Sequence, residues 1–106
     1  MKRRSLTPEL PEDDAEARLC RAFLSLRTVA EVRAFLADLC TPAEREAMRD
    51  RWSVVPHLLA GEPYREIHEH TAVSITTIGR VARTLAGGAG GYRLAPTRGK
   101  PRAVRA

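Results

Sequence analysis

Three observations predict an all-α chain that ends in a helix-turn-helix. Apolar residues recur at three- and four-residue steps from Ala15 to Leu85, and no stretch alternates as a half-buried strand would. Two successive segments open on capping sequences, Thr28-Val-Ala-Glu31 and Thr41-Pro-Ala-Glu44. Finally, the run Ser74-Ile-Thr-Thr-Ile-Gly-Arg-Val-Ala-Arg83 follows a short helical segment after only Thr71-Ala-Val, room for a sharp turn and little else.

The first helix is expected from about Glu12 to Ser25, with Ala15, Leu19, Ala22, Phe23 and Leu26 on its apolar side. Its acidic start, Glu12-Asp13-Asp14, suits the positive end of a helix dipole. The Thr28/Glu31 box starts a second helix over 29–39 that presents Val29, Val32, Phe35, Leu36 and Leu39. Pro42 is placed where a proline costs nothing, at the first helical position of a third helix ending at Gly61. Met48, Trp52, Val55 and Leu59 are the expected face of that helix. Pro56 lies inside it, and an interior proline costs about 3 kcal/mol, so a kink near Ser53 or a break in two is expected. Two short helices follow: Glu62 to about His70, opened by Pro63, then Ile75 to Ala86, capped by Ser74.

Charge is divided unevenly along the 106 residues. Residues 1–73 hold 11 basic and 13 acidic side chains, and 74–106 hold 7 basic and none acidic, so a −2 region precedes a +7 region and the net is +5. The C-terminal third is therefore matched to an anionic partner. Residues 1–11, with Pro8 and Pro11, are expected to be a disordered tail, and 93–106 a basic one; the folded region is expected over 12–92 and the helix-turn-helix over about 62–86. About 80 residues remain to build a core, which a partner subunit would help to complete. No apolar run approaches the roughly 20 residues of a membrane span or forms a secretory signal, so a soluble, cytoplasmic protein is expected. Cys20 and Cys40 stand outside any metal motif and are expected to be small, buried, reduced thiols.

Within the helix-turn-helix, Ile67, Val73, Ile78, Val81 and Leu85 fall where packing residues belong. Ser74, Thr76, Thr77, Arg80 and Arg83 fall on the outward face. A helix entering a DNA major groove needs short hydroxyls near its N-terminus and long cations beyond them, for phosphates and for the forked contact of arginine with guanine. Base contacts are expected from Thr76, Thr77 and Arg80, and backbone contacts from Arg65, Ser74, Arg83 and Arg93. Two positions depart from the usual pattern. Ala72 stands where the turn usually has glycine, at a cost of about 1–2 kcal/mol if left-handed, and His68 stands where a small residue usually lets the helices approach. His57, His68 and His70 show no spacing with cysteine or carboxylate that marks a metal site, so structural or surface roles are expected and no metal is assigned.

The segments TVAEVRAFLADLCTPAEREAMRDRW, LLAGEPYREI, VSITTIGRVARTL and GGAGGY together resemble the tryptophan-repressor superfamily, and more closely its YerC/YecD branch, over about residues 17–92. The resemblance implies two chains that interlock their N-terminal helices into one core and project two helix-turn-helix heads. It also implies that Thr41, Arg51 and Arg80 correspond to the repressor's effector pocket, here a candidate vestigial one. Val81 replaces the small residue beside which the indole fits, which counts against L-tryptophan as a partner. Expected partners are double-stranded DNA and a second copy of the chain, with no membrane and no cofactor.

The function expected is therefore that of a homodimeric, sequence-specific transcriptional regulator. The alternative is an interaction module whose basic third docks on an acidic protein or on RNA; the lack of aromatic residues on the basic face, where unpaired bases would stack, counts against RNA. No Ser/His/Asp, Cys/His or paired-carboxylate constellation suggests an enzyme.

Overall fold

The computed structural model describes residues 6–99, with side chains through Pro96. Six helices follow in order: α1 (Glu12–Leu24), α2 (Val29–Leu39), α3 (Pro42–Leu59), α4 (Tyr64–Thr71), α5 (Ile75–Gly87) and α6 (Gly91–Gly99). No strand occurs among the described residues. The chain divides into two units between Thr41 and Pro42.

The first unit is a pair of helices. Pro11 precedes α1, its carbonyl accepting from Ala15 N at 3.0 Å, and three acidic residues occupy the first turn. At the start of α2 the capping box forms: Thr28 Oγ1 accepts from the Glu31 amide at 3.0 Å. Glu31 Oε1 reaches back to the Arg27 amide at 2.7 Å, one residue before the cap. Phe23 and Phe35 join the helices edge to face, with centroids 5.1 Å apart and planes at 89°. Yet neither α1 nor α2 contains a buried residue. Leu24 is 83% exposed and Val29 73%. The cysteines differ from expectation for the same reason. Both are free, but Cys20 is exposed and Cys40 half-buried, because two helices alone have no interior in which to place a thiol.

The second unit holds the core. Val54 and Val55 of α3, Ile67 of α4, Val73 of the turn, and Ile78 and Val81 of α5 are all buried, with Leu58 and Tyr92 packed against them. Four of the five expected helix-turn-helix packing residues are thus in the core, and Leu85 is half-buried. The expected face of α3 needs correction. Val55 is buried, but Trp52 and Leu59 are 42% and 41% exposed, and the neighbour Val54 takes the inward position. The inward side of α3 is set by where α4 and α5 dock on it, so Val54, Val55 and Leu58 outrank the larger side chains on its flank.

Pro56 does not break α3 in two. It lies in the helix's final turns and on an exposed side, as does Trp52, whose carbonyl loses the amide donor that a residue other than proline would supply. The hydrogen-bond ladder resumes at once, with Ala60 N donating to the Pro56 carbonyl at 3.0 Å. Helix α3 then ends in a Schellman turn. Gly61 adopts φ +80, its amide donates to Leu58 O at 3.0 Å, and the Glu62 amide donates back to His57 O at 3.1 Å.

At the C-terminal end the expected basic tail is corrected. Helix α6 continues to Gly99 where a disordered segment from residue 93 was expected. Its anchor is Tyr92, which packs on the core and faces Trp52 at a centroid distance of 6.4 Å. The glycines between α5 and α6 do end α5 as expected, and Gly88 is required by space. A Cβ there would lie 2.5 Å from the Thr84 carbonyl oxygen. The Arg98 side chain and the expected tail cations Lys100, Arg102 and Arg105 lie outside the described residues.

Two stability outcomes follow from this core and its turn. Ile78→Ala leaves a cavity at the centre of the second unit and should cost about 2–5 kcal/mol in urea unfolding. Ala72→Gly should stabilise by up to about 1 kcal/mol, since relief of a left-handed alanine exceeds the extra unfolded-state entropy of glycine.

Candidate nucleic-acid interface

The outward helix of the motif is aimed by its turn. Ala72 takes φ +64 and ψ +9, the left-handed conformation that the sequence position calls for, despite its Cβ. Four hydrogen bonds hold it there. Ala72 N donates to His68 O at 2.8 Å. Thr71 Oγ1 donates to Ile67 O at 2.7 Å and accepts from Val73 N at 3.1 Å. His68 Nδ1 donates to the Val73 carbonyl at 2.7 Å. His68, which departs from the small residue expected there, thus laces the turn instead of separating the helices.

Helix α5 begins with Ser74, whose Oγ accepts from the Thr77 amide at 3.1 Å and donates to Thr77 Oγ1 at 3.0 Å. This arrangement occupies two of the proposed contact hydroxyls with each other. Thr77 is half-buried, whereas Thr76, Arg80 and Arg83 are exposed at positions i, i+4 and i+7 of one helical face. No acidic residue lies in the first turn. Arg65, in the first turn of α4, is exposed, and no ion pair holds Arg65, Arg80 or Arg83 among the described residues. Arg93 is exposed on α6.

Tyr64 is 42% exposed, and its ring lies 3.9 Å from where a Cβ of Gly79 would stand, with Arg83 Nη1 3.6 Å from the same point. An aromatic residue therefore does border the basic face, supplied by α4. Chemically, the face offers a free hydroxyl, guanidinium groups and a phenol, groups suited to phosphate oxygens and base edges.

The residues matched to an effector pocket differ in setting. Arg51 is half-buried on α3, Arg80 is exposed on α5, and Thr41 belongs to the first unit. A cavity of about 290 Å³ lies at the α5–α6 corner, lined by Thr84, Leu85, Tyr92, Arg93 and the intervening small residues, and none of the three borders it. Val81 is 1% exposed and belongs to the core.

A second cluster was not legible in the spacing. His57, Glu62 and His70 bring one potential ligand atom each to within 4.8 Å of one another. Glu62 Oε1 lies 2.8 Å from His57 Nδ1 and 3.6 Å from His70 Nδ1. The signal available in the sequence was Gly61. A Schellman turn there folds Glu62 back onto the last turn of α3, where His57 stands.

Comparison with known proteins agrees with this architecture. The family model described as Trp repressor protein matches residues 16–98. The chain is 37% identical over 82 residues to the uncharacterized protein YerC of Bacillus subtilis (strain 168), covering 77% of this chain and 79% of that one. It is also similar to the crystal structure of a TrpR like protein from Eubacterium eligens ATCC 27750, with a TM-score of 0.74 and 34% identity over 84% of this chain and 93% of the other. The helical order, the docking of α4 and α5 on α3, and these matches lead to one conclusion: the chain belongs to the Trp repressor family, as a YerC-type member.

Proposed function

We propose that this protein is a homodimeric regulator of transcription that reads double-stranded DNA through α5. The observation that carries the reading is the exposed, acid-free face of Thr76, Arg80 and Arg83 on a helix whose opposite side is buried in the core. Membership of a family of DNA-binding regulators supports it. In this reading Thr76 and Arg80 contact bases, joined by Thr77 where its hydroxyl can still donate. Arg65, Ser74, Arg83 and Arg93 hold the backbone, and the Tyr64 phenol adds a contact at the groove edge.

The dimer rests on the first unit. Helices that bury nothing in one chain while exposing Leu19, Phe23, Leu24, Val29 and Leu39 are suited to interlocking with a second copy, which would cover them on several sides. Two heads related by a twofold axis would then address half-sites about 34 Å apart. No helix among the described residues is long and apolar enough to cross a membrane.

Random-duplex selection with the purified protein is the direct test. Enrichment of a twofold-symmetric site in the absence of amino acids is the expected result; enrichment only with L-tryptophan would overturn the argument from Val81, and none under any condition would sink sequence-specific reading. On the enriched site Arg80→Ala should cost about 1–3 kcal/mol and relax preference at one position. Arg65→Ala should instead weaken all duplexes alike and lower the salt slope by about 1. Sedimentation equilibrium should give twice the chain mass, and Phe23→Asp should shift it toward the monomer. Preference for single-stranded RNA over duplex DNA in direct competition would favour the interaction-module reading.

A further inference from the structure

We propose that His57, Glu62 and His70 form a binding site for a divalent transition-metal ion of the zinc class. The three residues come from separate places in the second unit: the last turn of α3, the α3–α4 turn, and the last turn of α4. They converge for a backbone reason. The Schellman turn at Gly61 ties the Glu62 amide to the His57 carbonyl at 3.1 Å, which sets the Glu62 carboxylate beside the His57 ring. Helix α4 then returns along the core, held by Ile67, and its last turn delivers His70 to the same oxygen. The two imidazoles stand 5.7 Å apart, centroid to centroid, tilted by 37°.

The spacing suits an ion. Tetrahedral zinc with bonds of about 2.0 Å separates its ligand atoms by about 3.3 Å. The contacts of Glu62 Oε1, 2.8 Å to His57 Nδ1 and 3.6 Å to His70 Nδ1, bracket that value. All three ligand atoms lie within 4.8 Å of one another, so side-chain rotations that draw the two imidazoles together would admit a cation in place of the hydrogen bond. Two neutral imidazoles with one carboxylate are a donor set for zinc, nickel or copper, and a poor one for magnesium or calcium, which favour oxygen. Access is open. The side chains of His57 and Glu62 are 28% and 30% exposed and that of His70 is 59%, leaving a fourth position for water or a further ligand. His68 stands outside the set among the described residues: only His57, Glu62 and His70 bring ligand atoms within 4.8 Å of one another, and the His68 Nδ1 donates to the Val73 carbonyl.

An ion held there would clamp the end of α3 to the end of α4, one residue before the laced turn that aims α5. Any effect on DNA reading rests on the function proposed above; metal binding itself does not, so the two can fail separately.

The test uses the full chain without a polyhistidine tag, stripped with a chelator and titrated with zinc against a chromophoric indicator. One ion per chain is expected, with a rise in the thermal unfolding midpoint. His57→Ala and His70→Ala should each weaken binding at least about 100-fold, more than loss of an outer-shell partner typically does. Glu62→Gln should weaken it too, whereas His68→Ala should keep the wild-type stoichiometry. Far-UV circular dichroism checks that each variant is folded, which the exposure of His70 makes safe for that substitution. Absence of saturable binding, equal affinity in the His70→Ala protein, or equal losses in the His68 and His70 variants would each overturn the proposal.

Discussion

The small apolar cluster that joins α3, α4 and α5 is the constraint on which the rest of the second unit depends. Six side chains, none larger than isoleucine, make it up. These few side chains pack α4 and α5 against α3 and against each other. Hydrogen bonds at the turn complete the definition: Thr71, Ala72, Val73 and His68 are tied together so that a left-handed alanine is held in place. The strain is stored where the outward helix is aimed, and the core on one side of α5 frees the other side to carry Thr76, Arg80 and Arg83.

The first unit follows an opposite logic. Its helices are well specified locally, by an acidic first turn, a capping box and an edge-to-face phenylalanine pair, yet they enclose nothing. Local signals can define a helix without giving it a stable place, since most helical stability in proteins comes from tertiary burial. The apolar side chains of α1 and α2 are thus the counterpart of the small core in the second unit. The first unit exposes large apolar side chains and buries none, whereas the second buries six small ones and leaves Trp52, Leu59 and Ile75 partly exposed.

Glycine punctuates both ends of this arrangement. Gly61 turns the chain from α3 into α4 with a positive φ, and the same turn assembles an acid between two histidines. Gly88 admits the Thr84 carbonyl at a distance that no side chain would tolerate, and lets α6 fold back so that Tyr92 reaches the core and Trp52. In both places a backbone requirement decides which distant side chains meet.

Local signals along the chain specify the helices and the turn. Thr28, Pro42 and Ser74 mark starts and Gly61 a stop, because caps and glycine act within a few residues of themselves; the packing positions Ile67, Val73, Ile78 and Val81 were legible because two short helices joined by a three-residue turn leave few places for apolar residues to meet. Tertiary structure decided what periodicity cannot. Whether Val54 or Trp52 faces inward depends on where α4 and α5 dock, and whether residues 93–99 remain a tail depends on Tyr92 finding the core. Thr77 looked like a free contact group until its hydroxyl was seen bonded to Ser74, and Tyr64 borders the basic face from a different helix. The cluster of His57, Glu62 and His70 was invisible to spacing rules because its members meet through the return of α4, not along one helix. Sequence specifies interactions between near neighbours, whereas the meeting of distant side chains is settled by how the helices pack.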